Sequence, residues 1–271
     1  MSEECGKSSC SGCSESGCAS RRIEKESLRA GSSVKRVIAV ISGKGGVGKS
    51  TVTAMIAAAL SAKGEKVGIL DADITGPSIP RLFGVSDKAE SDGECVYPRE
   101  TGRGIKIMSI NLLLEEETAP VIWRGPVISG TVKQFWTEVA WGELDTMLVD
   151  MPPGTGDVPL TVFQSIPVDG LIVVTTPQEL VGMIVSKAVN MAQMMNVPVL
   201  GLVENMASFK CPDCGKIHEI FGHSNIAAIA ESFGIGNVCR LAMDMDRAKQ
   251  ADLGKADDFE TGELTAFINA L

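Results

Sequence analysis

Short apolar runs alternate with stretches of helix-forming residues from about Val34 onward. Residues 34–41 (VKRVIAVI) are a β-branched run, and 51–63 (TVTAMIAAALSAK) are rich in helix formers. Further apolar runs end at Asp73 (KVGILDAD), Asp150 (LDTMLVD), Pro177 (DGLIVVTTP) and Met206 (VPVLGLVENM). This alternation predicts an α/β fold, a doubly wound, mostly parallel sheet with helices on both faces. Runs with so few polar interruptions suit strands buried on both sides. Ligands of such sheets bind beyond the carboxyl ends of the strands, so Ser42, Asp73, Asp150 and Asn205 are expected to share one rim.

Between the first run and the first helix lies Gly43-Lys44-Gly45-Gly46-Val47-Gly48-Lys49-Ser50, which satisfies G-x-x-x-x-G-K-[ST]. Glycines at these positions let backbone N–H groups turn inward onto phosphate oxygens, and the N-terminus of the following helix, from Thr51, adds its positive dipole end. Lys49 is expected to reach the terminal phosphates of ATP, and Ser50 to ligate Mg2+. Strand, glycine loop and helix come in the order of a P-loop nucleotide site. Lys44 is an additional cation. It is either a solvated loop lysine or a group that reaches phosphates bound by a neighbouring subunit, neutralising transition-state charge in trans. The second reading requires a homodimer.

Asp150 closes an apolar strand ahead of Met151-Pro152-Pro153-Gly154-Thr155-Gly156-Asp157. It is expected to hold Mg2+ directly or through water, and the Gly154–Gly156 turn to respond to a γ-phosphate through its amides. A role capping the next helix suits Asp157 better. Asp71 and Asp73 fall two apart at a strand end, which predicts side chains on one face. Asp73, further toward the rim, is the preferred residue to orient the attacking water, while one of the pair has a cap of the helix after Pro77 as its plainer role.

At 271 residues, 44% hydrophobic and 22% charged, the chain suffices for one large domain with a substantial core, and no internal repeat is evident. Residues 1–33 are rich in Ser, Gly and Cys with few large apolar residues, predicting a mobile or metal-organised tail ahead of an ATPase domain over 34–271. Those first 33 residues hold five acidic and five basic side chains, so the net charge of −9 resides in the body. This argues against a nucleic-acid partner. No apolar run approaches the ~18 residues of a membrane span. The C-terminal FETGELTAFINAL lacks the Lys and Arg of an anionic-membrane anchor. The N-terminus lacks a secretory apolar core, so a soluble cytoplasmic protein is expected.

Eight cysteines without a secretory signal favour metal or redox chemistry over structural disulfides. Cys95 and Cys239 stand alone and read as small buried hydrophobes. Cys211 and Cys214, in Cys-Pro-Asp-Cys-Gly, supply two thiolates, whereas a cubane cluster takes four, which two copies of the chain would provide. A zinc site within one chain, completed by His218 and His223, is the main alternative, and a redox dithiol a lesser one. Cys5, Cys10, Cys13 and Cys18 in the tail form a four-thiolate set suited to a cluster or to zinc.

GKGGVGKS at 43–50, DADITGPSIPRLFG at 71–84, VDMPPGTGDVPLTVFQSIPVDGLIVVTTPQ at 149–178 and GLVENMASFKCPDCG at 201–215 together resemble the Mrp-type (ApbC-like) iron-sulfur carrier ATPases. These are relatives of the cytosolic iron-sulfur scaffold ATPases and of the Min-type division ATPases, and the resemblance spans nearly everything beyond residue 34. It implies a homodimer with ATP near its interface, Lys44 as the signature lysine, Asp73 positioning water, Asp150 serving magnesium and Asn205 contacting adenine. It further implies that Cys211 and Cys214 bridge a [4Fe-4S] cluster passed from cluster donors to apo-proteins. The chain departs from the pattern in the compact spacing of its tail cysteines. His223-Ser224-Asn225, read as the start of a helix, replaces a glycine cluster, and Leu241-Ala242 stands where relatives carry a proline. Two other classes fit a nucleotide loop of this kind, a Min- or partition-type spatial organiser and an ATP-gated electron-transfer protein. The first predicts a membrane or DNA surface that the acidic body does not match, and the second single cysteines at separate positions.

Overall fold

The computed structural model describes residues 25–114, 125–154, 156–178 and 181–271. Ten strands are present in these segments: β1 (Ser33–Ser42), β2 (Val67–Asp71), β3 (Arg99–Glu100), β4 (Lys106–Met108), β5 (Glu143–Asp150), β6 (Gly170–Thr175), β7 (Val199–Glu204), β8 (Phe209–Lys210), β9 (Ile217–His218) and β10 (Val238–Arg240). The helices are α1 (Lys49–Ala62), α2 (Ile79–Leu82), α3 (Gly125–Thr137), α4 (Asp157–Ser165), α5 (Val181–Met194), α6 (Ile226–Ser232), α7 (Met245–Asp252) and α8 (Thr265–Asn269). Eight strands form one sheet in the order β10-β7-β6-β1-β5-β2-β4-β3, parallel except at the β3–β4 edge, while β8 and β9 form a separate antiparallel hairpin.

Strand periodicity divides the core. Val37, Ala39 and Ile41 of β1 join Phe135 and Trp136 of α3, Phe163 of α4 and Val185 of α5 on one face. Ile38 and Val40 join the Ala-rich α1 and Phe267 and Ile268 of α8 on the other. Ten of the fourteen residues of α1 are buried, so this helix is apolar nearly all round and runs through the core instead of along its surface.

Three runs end earlier than their composition suggests. β2 stops at Asp71, leaving Asp73 in the following loop, so strand alternation does not align the two carboxylates as expected. β6 stops at Thr175, two residues before Pro177, which has no N–H to donate. β7 stops at Glu204, and Met206 turns the chain through a left-handed φ of 58°.

Composition places residues 25–33 in the tail, yet they lie against the domain. Leu28 packs on the core, Glu26 N–H donates to Ser165 O at 2.7 Å, and Trp136 Nε1 donates to Glu26 O at 2.8 Å. Cys5, Cys10, Cys13 and Cys18 lie outside the described residues.

β1, β5 and β2 are neighbours on one side of the topological switch, and β6 and β7 continue on the other. The carboxyl ends of these five strands are Ser42, Asp150, Asp71, Thr175 and Glu204. The glycine loop after β1 rises between them.

Candidate functional site

The loop from Gly43 to Ser50 bends through two left-handed glycines, Gly46 and Gly48, each at φ 79°. At Gly48 a Cβ would lie 2.3 Å from Asn205 Nδ2, so backbone strain and lack of space both exclude a side chain. No side chain caps the α1 N-terminus. Its first N–H groups therefore remain available to an anion. Gly45, Gly46, Lys49, Ser50 and Thr51 line a cavity of about 250 Å3 that Asp73 and Pro153 close from the side.

Beneath the loop, Asp150 is fully buried and both its oxygens are engaged. Lys49 Nζ and Ser50 Oγ each donate to Oδ2 at 2.6 Å, while Thr53 Oγ1 donates to Oδ1 at 2.7 Å. Asp150 is thus committed to the loop and caps no helix. Asp157 caps none either, because it occupies the first turn of α4 behind Gly156. A hydroxyl oxygen beside a carboxylate oxygen is a hard-donor pair, which fits Mg2+.

Lys49 also comes within 3.9 Å of Asp73 Oδ2. Asp73 accepts from Thr75 Oγ1 and from Gly76 N–H within its own turn, and burial raises its carboxyl above the usual range. Asp71, two residues back, is enclosed in the sheet. One oxygen accepts from Asp73 N–H at 3.1 Å and the other from Ser109 Oγ at 3.0 Å. Burial, reinforced by the neighbouring Asp150, pushes Asp71 up to about 8. Neither carboxylate caps the helix after Pro77, since α2 begins behind Ser78 without a side-chain cap.

The remaining nucleotide-loop residues flank this centre. Lys44 Nζ donates to the Gln178 side chain, which follows β6 and so lies across β1 and β5 from the loop carrying Asp73. Gly154, at φ 91°, gives its N–H to Ser42 O at 2.8 Å, tying the turn after β5 to the end of β1. Asn205 Nδ2 donates to Val47 O at 2.9 Å. It lines a cleft of about 310 Å3 with Thr51, Met206, Asp244 and Arg247.

The chain continues from Asn205 through one short loop into the β8–β9 hairpin. Cys211 and Cys214 occupy its turn, closed by hydrogen bonds from Cys211 N–H to Lys216 O and from Gly215 N–H to Cys211 O, both 2.9 Å. Backbone N–H groups of Cys214 and Asp213 turn onto the Cys211 sulfur and hold its thiol below the usual range. Cys214 faces solvent. His218 lies on β9 and His223 pairs with Glu219 at 2.5 Å. Among the described residues no three His, Cys, Asp or Glu side chains converge on one point. The two-cysteine, two-histidine zinc site within one chain is therefore not formed. Cys95 and Cys239 are buried, as expected of apolar substitutes, and burial pushes Cys239 up to about 11.

Sequence reasoning missed Thr53, Ser109 and Gln178. Thr53 left a trace, a hydroxyl set between Val52 and Ala54 in the most apolar stretch of the helix, where a buried polar group demands a partner. Ser109 and Gln178 meet the site only through the sheet order.

A family model described as the NUBPL iron-transfer P-loop NTPase, of the ParA group, matches residues 33–268. The chain belongs to this family. It is 48% identical over 225 residues to the iron-sulfur cluster carrier protein of Methanocaldococcus jannaschii, covering 82% of this chain and 78% of that one. With the iron-sulfur cluster carrier protein of Clostridium perfringens it shares 47% over 262 residues, covering 93% and 92%. Among solved structures, the nucleotide-binding protein of Archaeoglobus fulgidus in complex with ADP, in which cobalt was found, is 45% identical with a TM-score of 0.78, covering 86% of this chain and 92% of that one. As a member of this P-loop NTPase family the chain is a nucleoside triphosphatase. No helix among the described residues is long and apolar enough to cross a membrane.

Proposed function

We propose that the chain is an ATPase that carries a [4Fe-4S] cluster as cargo and delivers it to apo-proteins. The observation that carries this is the Cys211–Cys214 turn. Two outward cysteines, one with a thiol already biased toward thiolate, sit on a hairpin one loop away from the nucleotide cleft. The names of the curated relatives support the same reading.

In this reading Gly43, Gly45, Gly46, Val47 and Gly48 cradle the ATP phosphates with their N–H groups, and Thr51 backs them from α1. Lys49 turns from Asp150 to the terminal phosphates. Ser50 and Asp150 hold Mg2+, which supplies charge neutralisation on the phosphate oxygens. Asp73 orients the attacking water, Gly154 registers the γ-phosphate, and Asn205 faces the adenine. Lys44 serves a second copy of the chain across a homodimer, in which two Cys211–Cys214 pairs give the four thiolates of one cluster. The tail quartet of Cys5, Cys10, Cys13 and Cys18 holds a further cluster or zinc. Hydrolysis is coupled to cluster release, cluster donors load the protein, and the cytoplasm, where thiols stay reduced, is its place of action.

A membrane-recruited organiser draws no support from the C-terminus, because Phe267 and Ile268 of α8 are buried against the domain. The deciding experiment is iron and sulfide analysis after anaerobic reconstitution of the full chain with Cys5, Cys10, Cys13 and Cys18 changed to Ser. About four iron and four sulfide per two chains are expected, and none after adding Cys211→Ala and Cys214→Ala. Unchanged iron in the latter protein would sink the reading.

A further inference from the structure

Among the described residues, backbone hydrogen bonds from Ala207 and Met243 hold the base of the β8–β9 hairpin, and a side-chain fork ties its far end to the domain. Arg240, at the end of β10, donates through Nε to Glu204 Oε2 at 2.9 Å and through Nη2 to Glu219 Oε1 at 3.4 Å. The two carboxylates differ in kind. Glu204, the last residue of β7, is 1% exposed and also accepts from Ser224 Oγ at 2.7 Å. Glu219 directly follows β9, is one-third exposed, and divides itself between Arg240 and His223. The inner arm is short and ends on a shielded carboxylate, and the outer arm is long and ends on a partly wet one.

Glu204 adjoins Asn205, whose side chain holds the Val47 carbonyl of the phosphate loop and lines the nucleotide cleft. A continuous path therefore runs from Val47 through Asn205 and Glu204 to Arg240, Glu219 and the hairpin bearing Cys211 and Cys214. The outer arm already lies near the limit of a hydrogen bond, so a displacement of a few tenths of an ångström at the β7 end makes or breaks it. Lysine offers no such fork, because a point charge cannot span both carboxylates in fixed geometry.

Resting on the carrier reading, we infer that Arg240 is a positioning residue that couples nucleotide occupancy at Asn205 to the set of the Cys211–Cys214 turn, with Glu219 as its receiving partner. A second connection exists for comparison. Met243, which lines the nucleotide cleft, donates its N–H to Ser208 O at 2.7 Å at the base of the hairpin.

The test uses the full chain with the four tail cysteines changed to Ser, titrated with Co2+ and followed by thiolate-to-cobalt absorption, with and without MgADP or a slowly hydrolysed MgATP analogue. In the parent protein nucleotide should shift Co2+ affinity by about fivefold or more, the low end of coupling between sites. Glu219→Gln leaves the Glu204–Arg240 pair intact. It should reduce that shift to less than about 1.5-fold, while cobalt affinity without nucleotide and nucleotide affinity itself stay within about twofold. Arg240→Lys should behave likewise. A shift retained in Glu219→Gln would assign the coupling to the Ser208–Met243 connection and overturn the inference, as would a parent protein whose cobalt affinity ignores nucleotide. Cobalt absorption that survives Cys211→Ala with Cys214→Ala, or is absent from the parent, would instead refute the carrier reading on which the inference stands.

Discussion

Thr53 Oγ1 donates to Asp150 Oδ1 at 2.7 Å, from one turn inside the helix that begins at the phosphate loop. The same hydroxyl lies 3.1 Å from Lys49 O, within its own helix. With Lys49 and Ser50 on the other oxygen, Thr53 fixes the rotation of the carboxylate, so the edge facing the loop is the one that Lys49 and Ser50 meet. Replacing Thr53 by Val keeps the shape and deletes the anchor. The expected outcome is a loss of about 1–3 kcal/mol in urea unfolding, from a buried acceptor left short of a donor. The Mg2+ concentration for half-maximal ATPase activity should also rise about tenfold, as for other groups that orient a ligand. Thr53→Ser should restore most of both. Wild-type Mg2+ dependence in Thr53→Val would show that Asp150 needs no such anchor.

Much of this arrangement is written locally. The loop's glycines, Lys49 and Ser50 are contiguous, and the apolar strand before Asp150 announces a buried sheet end. Other parts depend on which strands become neighbours. Ser109 reaches Asp71 because β4 pairs with β2, and Gln178 reaches Lys44 because β6 lies beside β1. Neither pairing leaves a trace in the residues themselves. The expectation that Asp71 and Asp73 share a strand face failed for a related reason. β2 ends with its last partner on β5, Asp150, and the chain then turns away, carrying Asp73 to the cavity and leaving Asp71 beneath it. The Cys211–Cys214 spacing was legible, but the hairpin that presents it rests on two-residue strands too short to leave a period-2 signal.

Asp71 predicts a pH dependence of stability with a definite sign. Its carboxyl rises from an ordinary 3.8 to about 8 in the folded protein, so between those values the folded chain holds a proton that the unfolded chain has released. Its contribution is fully present below the lower value and is lost as pH rises through the upper one. Asp71→Asn removes the titration while keeping the shape. Urea midpoints measured at pH 5, 6.5 and 8 should show the variant gaining steadily on wild type as pH rises. A difference that is flat across this range would mean that Asp71 is ionised throughout.

Cysteine environments predict an order of reactivity. Cys211 is partly accessible with a lowered thiol pKa and Cys214 is exposed, whereas Cys239 is buried with its thiol pushed up to about 11 and Cys95 is buried. Brief iodoacetamide treatment of reduced, metal-free protein at pH 7.5, read by peptide mass spectrometry, should label Cys211 and Cys214 before Cys95 and Cys239 by about tenfold or more. Of these four cysteines, prior loading with Co2+ should protect Cys211 and Cys214 and leave Cys95 and Cys239 as they were. Equal labelling of all four would contradict the burial of Cys95 and of Cys239 within β10.

Lys44 carries the sharpest prediction about assembly. Within its own chain it is held by Gln178, on the far side of β1 and β5 from the loop of Asp73, while Lys49 serves the cavity directly. Lys44→Ala should leave nucleotide affinity within a few-fold and lower ATPase turnover by about 10³, the scale of a charge supplied in trans to phosphoryl transfer. Lys49→Ala should lose binding and turnover together. Mixing the two inactive proteins separates the possibilities. If each Lys44 serves the partner copy, a mixed dimer contains one site with Lys49 from the first protein and Lys44 from the second. An equal mixture should then recover about a quarter of wild-type activity, since half the dimers are mixed and half their sites are complete. If Lys44 acts on its own chain, no site in the mixture is complete and activity stays at the level of the separate variants.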